Sequence, residues 1–420
     1  MPRPAAKAIA PAPVRGLRAY LTVLRSPGVR VLSIGAAIAS LPVGMLGLSL
    51  LLLVQRRYES LAAAGVVVAA LGVGTCAGMI VQGRLIDLSG PRRVLQVSSS
   101  LRAATSIGFV LAAGRTPVLA LTVLAFLVGV SEPQVSSALR AQWPTLLPRE
   151  LLPAANAVSS ILFELPVVSG PLLLTAVIAV FPVELAVLGA AGFAVVGAWM
   201  FALSVGADPT STPSSPRVRG LLGPLTIPAV RRIVVVVSVP GAALGIVQIT
   251  SAAAATAAGA GAGAGAGELT GLLYAALTAG SLVGTVLYGS RARPVGARWL
   301  LPVLLLGQAA ALAAMAVASG VGVLAWCVLG FGLLSGPVAV RCFVDLERPA
   351  SGSLTAAITV VIAAGLAGTS LGSAWAGWAS DGYGRALPLL VGSAILLLLG
   401  ALLPLLQRRA AKPVGHSGDA

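Results

Sequence analysis

Twelve long apolar stretches constrain the fold of this chain more than any other feature. A helix needs about 20 apolar residues to cross a bilayer, and 57% of the 420 residues are hydrophobic. Only 10% are charged, far below the roughly 25% of a soluble domain. The sequence therefore predicts an all-α integral membrane protein. The predicted spans are residues 31–54, 60–84, 94–113, 117–139, 152–180, 182–205, 229–254, 269–289, 299–319, 321–340, 354–378 and 387–406.

The basic residues predict how these spans are oriented. An even number of spans places both termini on one side, and 23 of the 28 Lys and Arg residues fall on that side. Four fall on the other side, and Arg102 lies inside the third span. Because cytoplasmic loops carry the excess of positive charge, we expect both termini in the cytoplasm. This location also accounts for the net charge of +16 without a nucleic-acid partner.

The two halves of the chain resemble each other. Leu, Pro, Val and Arg recur at matching positions before spans one and seven, and five positions recur at one common offset in spans two and eight. These five are Gly65, Leu71, Gly74, Gly78 and Gly83 in span two and Gly271, Leu277, Gly280, Gly284 and Gly289 in span eight. Such a repeat predicts two six-helix bundles, residues 1–206 and 225–420. The Pro/Ser-rich residues 207–224 form the predicted cytoplasmic linker.

The loop after span two carries a recognisable motif. It reads Gly83-Arg84-Leu85-Ile86-Asp87-Leu88-Ser89-Gly90-Pro91-Arg92-Arg93. It resembles the signature loop of the major facilitator superfamily, G-x-L-x-D-r-x-G-r-r, and departs from it at Leu88 and Pro91. The resemblance implies two pseudo-symmetric bundles that rock around a midplane site. It also implies a cytoplasmic gate, for which the candidates are Gly83, Asp87, Gly90, Arg92, Arg93 and Arg140. The alternative is a plain turn with arginines that set topology.

A second resemblance covers spans four and five. Residues 140–171 are similar to a group of bacterial facilitator-type permeases described as efflux proteins. Gly170-Pro171 also resembles the helix-five motif of drug–proton antiporters, although Leu172 and Leu173 replace the two glycines that should follow. The heavy use of Arg, Ala and Gly is typical of a G+C-rich bacterial genome. We therefore expect an efflux transporter of the bacterial plasma (inner) membrane.

Two acidic residues lie inside predicted spans, Glu132 in span four and Glu164 in span five. An ionisable group there is expensive, by about 2.5 kcal/mol or more, and by default functional. Both are candidates for proton coupling. Asn156, Ser160 and Glu164 share one helix face, which favours either a cavity lining or a polar seam between helices. Pro133 predicts a kink beside Glu132.

The remaining cavity candidates are Arg102, Gln248 and Thr250. Arg102 either snorkels to the cytoplasmic surface, pairs with Glu132, or binds an anionic substrate. Glu132 itself has Arg102 or Arg140 as possible partners. Three cysteines and a single histidine fit no metal spacing, so we expect no metal and no cofactor.

These observations favour a secondary transporter that exports a small organic molecule in exchange for protons. Its expected partners are the substrate, protons and the lipid bilayer, and the family resemblance implies a monomer. The alternatives are a proton-coupled importer or facilitator of a small solute such as a sugar, and a non-transporting membrane protein. The short loops, nearly free of acids and His, argue against an enzyme. A nucleotide-driven pump is excluded because no phosphate-binding G-x-x-x-x-G-K-[ST] loop occurs.

Overall fold

The computed structural model describes residues 17–26, 28–148, 151–205, 223–260, 264–289, 299–347 and 354–410, and these residues form helices without a strand. The first set of helices is α1 (Leu17–Arg25), α2 (Val29–Tyr58), α3 (Leu61–Ser89), α4 (Pro91–Ala112), α5 (Val118–Val130), α6 (Val135–Leu146), α7 (Leu152–Ile178) and α8 (Val183–Ser204). The second set is α9 (Pro228–Ala255), α10 (Ala264–Gly289), α11 (Leu300–Val317), α12 (Val321–Glu347), α13 (Leu354–Tyr383) and α14 (Ala386–Ala410). Most of the predicted linker, residues 207–222, lies outside the described residues.

The lengths and compositions of these helices confirm an integral membrane protein. Eleven candidate spans in the described residues are long and apolar enough to cross a bilayer, with α5 and α6 together counted as one. The twelfth span is α7, whose 27 residues extend about 40 Å at 1.5 Å per residue. We call the side where α2 begins and α14 ends the terminal face, and the opposite side the distal face.

The fourth span differs from the single helix that the sequence predicts over residues 117–139. It consists of α5 and α6, which are separated by Ser131–Gln134. Pro133 is buried in this break, where its missing N–H and its ring prevent a continuous helix. The corresponding helix of the second set, α12, remains unbroken over its 27 residues although it contains Pro337. Proline alone therefore does not explain the break.

The helices of the two sets pack in corresponding pairs. In the first set α2 packs on α7 and α8, α3 on α5, and α4 on α8. In the second set α9 packs on α13 and α14, α10 on α12, and α11 on α14. The two sets meet mainly through α3 with α13 and α7 with α10. Each of these contacts joins one helix of the first set to one helix of the second, so the sets meet along two seams.

Candidate functional site

The break in the fourth span is held by a side chain of the second span. Gln82 Nε2 donates to the backbone carbonyl oxygens of Val130, at 2.7 Å, and Glu132, at 2.8 Å. The last carbonyls of a helix have no intrahelical donor, so this amide replaces donors that the break removes. Gln82 is buried. The irregular backbone at Glu132 is thus satisfied from within the protein, as non-helical backbone in a membrane must be.

The carboxylate of Glu132 faces two other helices. Its Oε2 lies 3.5 Å from Nη1 of Arg102 on α4 and accepts a hydrogen bond of 3.2 Å from Thr75 on α3. The side chain of Arg102 is only 2% exposed and that of Glu132 is 19% exposed. Of the three alternatives for Arg102, snorkelling is therefore wrong, since the guanidinium is buried among helices. Pairing with Glu132 is the arrangement observed.

Three buried polar atoms of this cluster make no hydrogen bond to the described residues. They are Nε and Nη1 of Arg102 and Oε1 of Gln82.

Glycine contacts show which positions of the two helix sets correspond. Gly129 packs on the backbone of α3 at Leu71, and Gly332 packs on the backbone of α10 at Leu277. Two further contacts recur in the same way. Gly74 packs on Phe126 as Gly280 packs on Leu329, and Gly78 packs on Val130 as Gly284 packs on Leu333. At each of these glycines an added Cβ would overlap the opposing backbone, as expected where small residues let membrane helices approach closely.

The same correspondence gives Arg102 and Glu132 an uncharged counterpart. Ser335 follows Gly332 by the same number of positions as Glu132 follows Gly129, so Ser335 takes the place of Glu132. In the same way Gln308 follows Leu277 as Arg102 follows Leu71, so Gln308 takes the place of Arg102. Gln308 Nε2 donates to Ser335 Oγ at 2.9 Å, and Gln308 is fully buried. The fold thus keeps a polar contact between these helices in both sets but places charges in only one.

Two other cavity candidates from the sequence lie on α9. Thr250 is buried, and its hydroxyl donates to the carbonyl of Ile246 on the same helix at 2.7 Å. Gln248 is half-buried and makes no hydrogen bond to the described part of the chain. The structure does not bring either residue into contact with the Arg102–Glu132 pair. Thr250 is satisfied within its helix, which leaves Gln248 as the better ligand candidate of the two.

The polar face predicted on span five is only partly described. The backbone of α7 is helical through Asn156, Ser160 and Glu164, but their side chains lie outside the described residues. Their roles as cavity lining and proton site remain predictions.

Two glycines of the predicted gate have different surroundings. Gly90 joins α3 to α4 with φ of 77°, a left-handed conformation that favours glycine, as the sequence predicts for a tight turn. A Cβ added at Gly83 would meet no described atom within 4 Å apart from its own helix. Within the described structure Gly83 therefore makes no close helix contact, whereas a glycine inside a membrane span often marks a close approach of two helices.

The charged residues of the predicted gate lie at the terminal face. Arg92 is half-buried at the start of α4, and Arg93 and Arg140 are exposed. Asp87 is on the last turns of α3, but its side chain lies outside the described residues. Their gating role stays a prediction.

Comparison with known proteins identifies the family. A family model described as the Major Facilitator Superfamily matches residues 32–368. The chain belongs to this superfamily. It is thus a transporter rather than an enzyme or another non-transporting membrane protein. No group of three or more His, Cys, Asp or Glu residues that could hold a metal occurs in the described residues.

Solved structures with the same fold are found by structural comparison. The crystal structure of the nucleoside transporter NupG superposes with a TM-score of 0.71 at 12% identity, over 90% of this chain and 98% of that chain. A structure of a point mutant of NupG gives the same TM-score and identity over 89% of this chain and 99% of that chain. At this identity the likeness shows the fold alone. No curated protein matches the sequence.

Sequence reasoning missed two members of the buried cluster and both members of its neutral counterpart. Thr75 and Gln82 are polar residues inside an apolar span, and that alone was a usable signal. Gln308 carries a second signal, because it lies at the offset of the internal repeat in spans two and eight from Arg102. Ser335 lies at a different offset from Glu132, and only the glycine contacts of the structure show the two positions to correspond.

Proposed function

We propose that this protein is a proton-coupled secondary transporter that exports a small organic molecule, a drug or a metabolite, by alternating access. In this proposal it acts as a monomer in the bacterial plasma membrane, with both termini cytoplasmic. Residues 1–206 and 225–420 are the two rocking bundles, and residues 207–224 link them. The substrate binds between the bundles near the middle of the membrane, as in other transporters built from repeats.

The observation that carries the proposal is the place of Glu132. Its carboxylate is in a break of a spanning helix, beside the buried guanidinium of Arg102. Broken helices in transporters place backbone dipoles and polar groups at the site where substrate or ions bind. An ionisable residue in such a place is a functional candidate by default.

The pair also gives proton uptake a structural consequence. When Glu132 is ionised, it neutralises Arg102, which carries its charge at any pH a cell meets. When Glu132 takes up a proton, Arg102 is left as an unpaired buried charge, and that state is costly. We expect the break between α5 and α6 to rearrange in response, because Glu132 belongs to that break. Glu164 on α7 is the second candidate for the same proton.

The proposal of export rather than uptake rests on the resemblance of residues 140–171 to efflux permeases. The fold likeness to the nucleoside transporter NupG supports a second candidate, the proton-coupled uptake of a small solute, with a nucleoside as the first compound to try. Both candidates use the same proton site, so vesicles of the two orientations from the same cells test both.

The test uses everted membrane vesicles from bacteria that lack their own efflux pumps and express the full chain. A panel of dyes and antibiotics is screened for accumulation driven by an imposed proton gradient, and a radiolabelled nucleoside is measured in right-side-out vesicles. Accumulation that a protonophore abolishes supports proton-coupled export. Protonophore-sensitive nucleoside uptake with no export of any compound overturns the export proposal in favour of the importer.

Three carboxylate variants assign the proton. Glu132→Gln is expected to abolish gradient-driven transport while leaving exchange of substrate across the membrane without a gradient. Glu184→Gln is the matched control, because Glu184 pairs with Arg57 at the distal face and lies outside the proposed path. If Glu164→Gln abolishes coupling and Glu132→Gln does not, the proton site moves to Glu164.

A further inference from the structure

At the distal face a carboxylate of the second helix set binds the start of a helix in the first set. Oδ1 of Asp381, near the end of α13, accepts from the backbone N–H of Leu61 at 3.0 Å. Its Oδ2 accepts from the N–H of Ala62 at 2.9 Å and from the hydroxyl of Ser60 at 2.8 Å. The first N–H groups of a helix lack intrahelical partners and carry a partial positive charge. Asp381 therefore satisfies α3 from outside its own helix set.

Backbone contact between α3 and α13 brings the carboxylate into reach. A Cβ added at Gly377, one turn before Asp381, would overlap the carbonyl of Leu61, and a Cβ at Gly65 would overlap that of Ser373. Side chains at these two glycines would push the helices apart. The three hydrogen bonds of Asp381 thus close the distal end of a tightly packed seam.

The seam between α7 and α10 corresponds to the seam between α13 and α3. There Gly271, the repeat counterpart of Gly65, packs on Thr175, which takes the place of Ser373. The hydroxyl of Thr175 donates to the carbonyl of Pro171 on its own helix at 2.8 Å. Asp381 lies eight positions after Ser373, and the residue eight positions after Thr175 is Val183, which has no carboxylate.

Other side-chain contacts also join the two helix sets. Gln55 donates a hydrogen bond of 2.6 Å to Thr256 at the distal ends of α2 and α9. Nearer the middle of the membrane, Cys76 contacts the carbonyl of Ala363 at 3.6 Å. The contacts of Asp381 and the hydrogen bond of Gln55 thus hold the two sets together at the distal face.

We propose that Asp381 is a latch that holds the distal face closed and that must release α3 before the transporter opens to that side. The inference rests on the alternating access of the proposed function. The site is accessible for release, because Asp381 is exposed and lines a cavity of about 400 Å³ at the distal face together with Arg56, Glu59 and Thr270. Water entering this cavity can replace the carboxylate at the α3 N–H groups.

The test measures the distance across the distal face directly. Spin labels are attached at Val180→Cys and Ser319→Cys, which lie in exposed distal turns of the two helix sets, in the full chain with its three native cysteines replaced. Double electron–electron resonance then gives the distance distribution in lipid nanodiscs without substrate. For Asp381→Ala we expect the population with the longer distance to rise about tenfold or more, because three hydrogen bonds to a carboxylate are lost and water replaces the carboxylate at the α3 N–H groups.

Two more variants decide the interpretation. Asp381→Asn keeps the shape of the side chain and one of its two acceptor oxygens, but it turns the other oxygen into a donor that faces the donors of α3. Because one acceptor remains, we expect a rise in the same direction that is smaller than in Asp381→Ala. Glu59→Gln removes a negative charge from the same cavity without touching the latch, and we expect no change. If Asp381→Ala does not fold, Asp381→Asn decides alone.

Either of two results overturns the latch. One is an unchanged distance distribution in the Asp381 variants. The other is an equal change in Glu59→Gln, which would make the effect one of net charge in the cavity. Because no substrate or proton gradient is present, the outcome does not depend on what the protein transports, and a failure of the transport assay leaves this result standing.

Discussion

The buried pair of Arg102 and Glu132 makes a prediction that a double-mutant cycle can measure. Two unit charges 3.5 Å apart attract by about 5 kcal/mol at an effective dielectric constant of about 20. This attraction offsets the cost of burying a guanidinium that is 2% exposed. Removing one partner of a buried pair costs about 3–5 kcal/mol, while replacing both with neutral groups is often close to neutral. The Gln308–Ser335 contact shows that this fold accepts an uncharged pair at the corresponding place.

The cycle therefore compares Glu132→Gln, Arg102→Gln and the double variant with the unchanged protein. Each single variant is expected to lose about 3–5 kcal/mol, a fall in the midpoint of thermal unfolding of about 3–6 °C for a chain of this length. The double variant is expected to stay within about 2 kcal/mol of the original, which makes the coupling between the two sites about 4 kcal/mol or more. The assay is the fraction of monodisperse protein that remains after heating in detergent.

Two outcomes distinguish a coupled pair from two independent side chains. A double variant that is more stable than either single variant supports the coupling. Additive losses in the double variant would refute the reasoning.

Three further predictions concern packing and surface charge, each measured by the same thermal assay. Gly129→Ala is expected to lose about 1–3 kcal/mol because its Cβ overlaps an opposing backbone carbonyl, whereas Gly189→Ala, which has open space, is expected to be unchanged or slightly more stable. Trp143→Phe loses the 2.8 Å bond from its indole N–H to a buried serine hydroxyl, and we expect a loss of about 1 kcal/mol. Arg57→Ala breaks an exposed pair with Glu184 and is expected to change stability by less than about 1 kcal/mol; a larger loss would mean that this pair is coupled to other charges.

The spans could be predicted from the sequence because each must be long and apolar enough to exist in a bilayer by itself. Hydropathy is a local property, and every predicted span has a helix at its place. The repeat was also readable, since glycines recur wherever two backbones touch, and the contacts of Gly129 and Gly332 show those positions to be equivalent. The break at Glu132 was indicated by Pro133 only as a kink. Whether proline breaks a helix depends on what satisfies the freed carbonyls, and here that group is Gln82, 50 positions away.

The sequence by itself therefore determined the class of fold, the number of spans and the family, because these depend on the composition and order of local segments. It also showed that only a few charged residues lie inside the predicted spans. Only the tertiary structure decided that Arg102 points to Glu132 rather than to the surface, because that choice depends on neighbours from α3 and α5. It alone revealed the contact of Asp381 with the start of α3, 319 to 321 positions away in the chain. The sequence around an aspartate at a helix end does not indicate which group the carboxylate binds, since any free helix N-terminus brought within about 3 Å would bind it equally well.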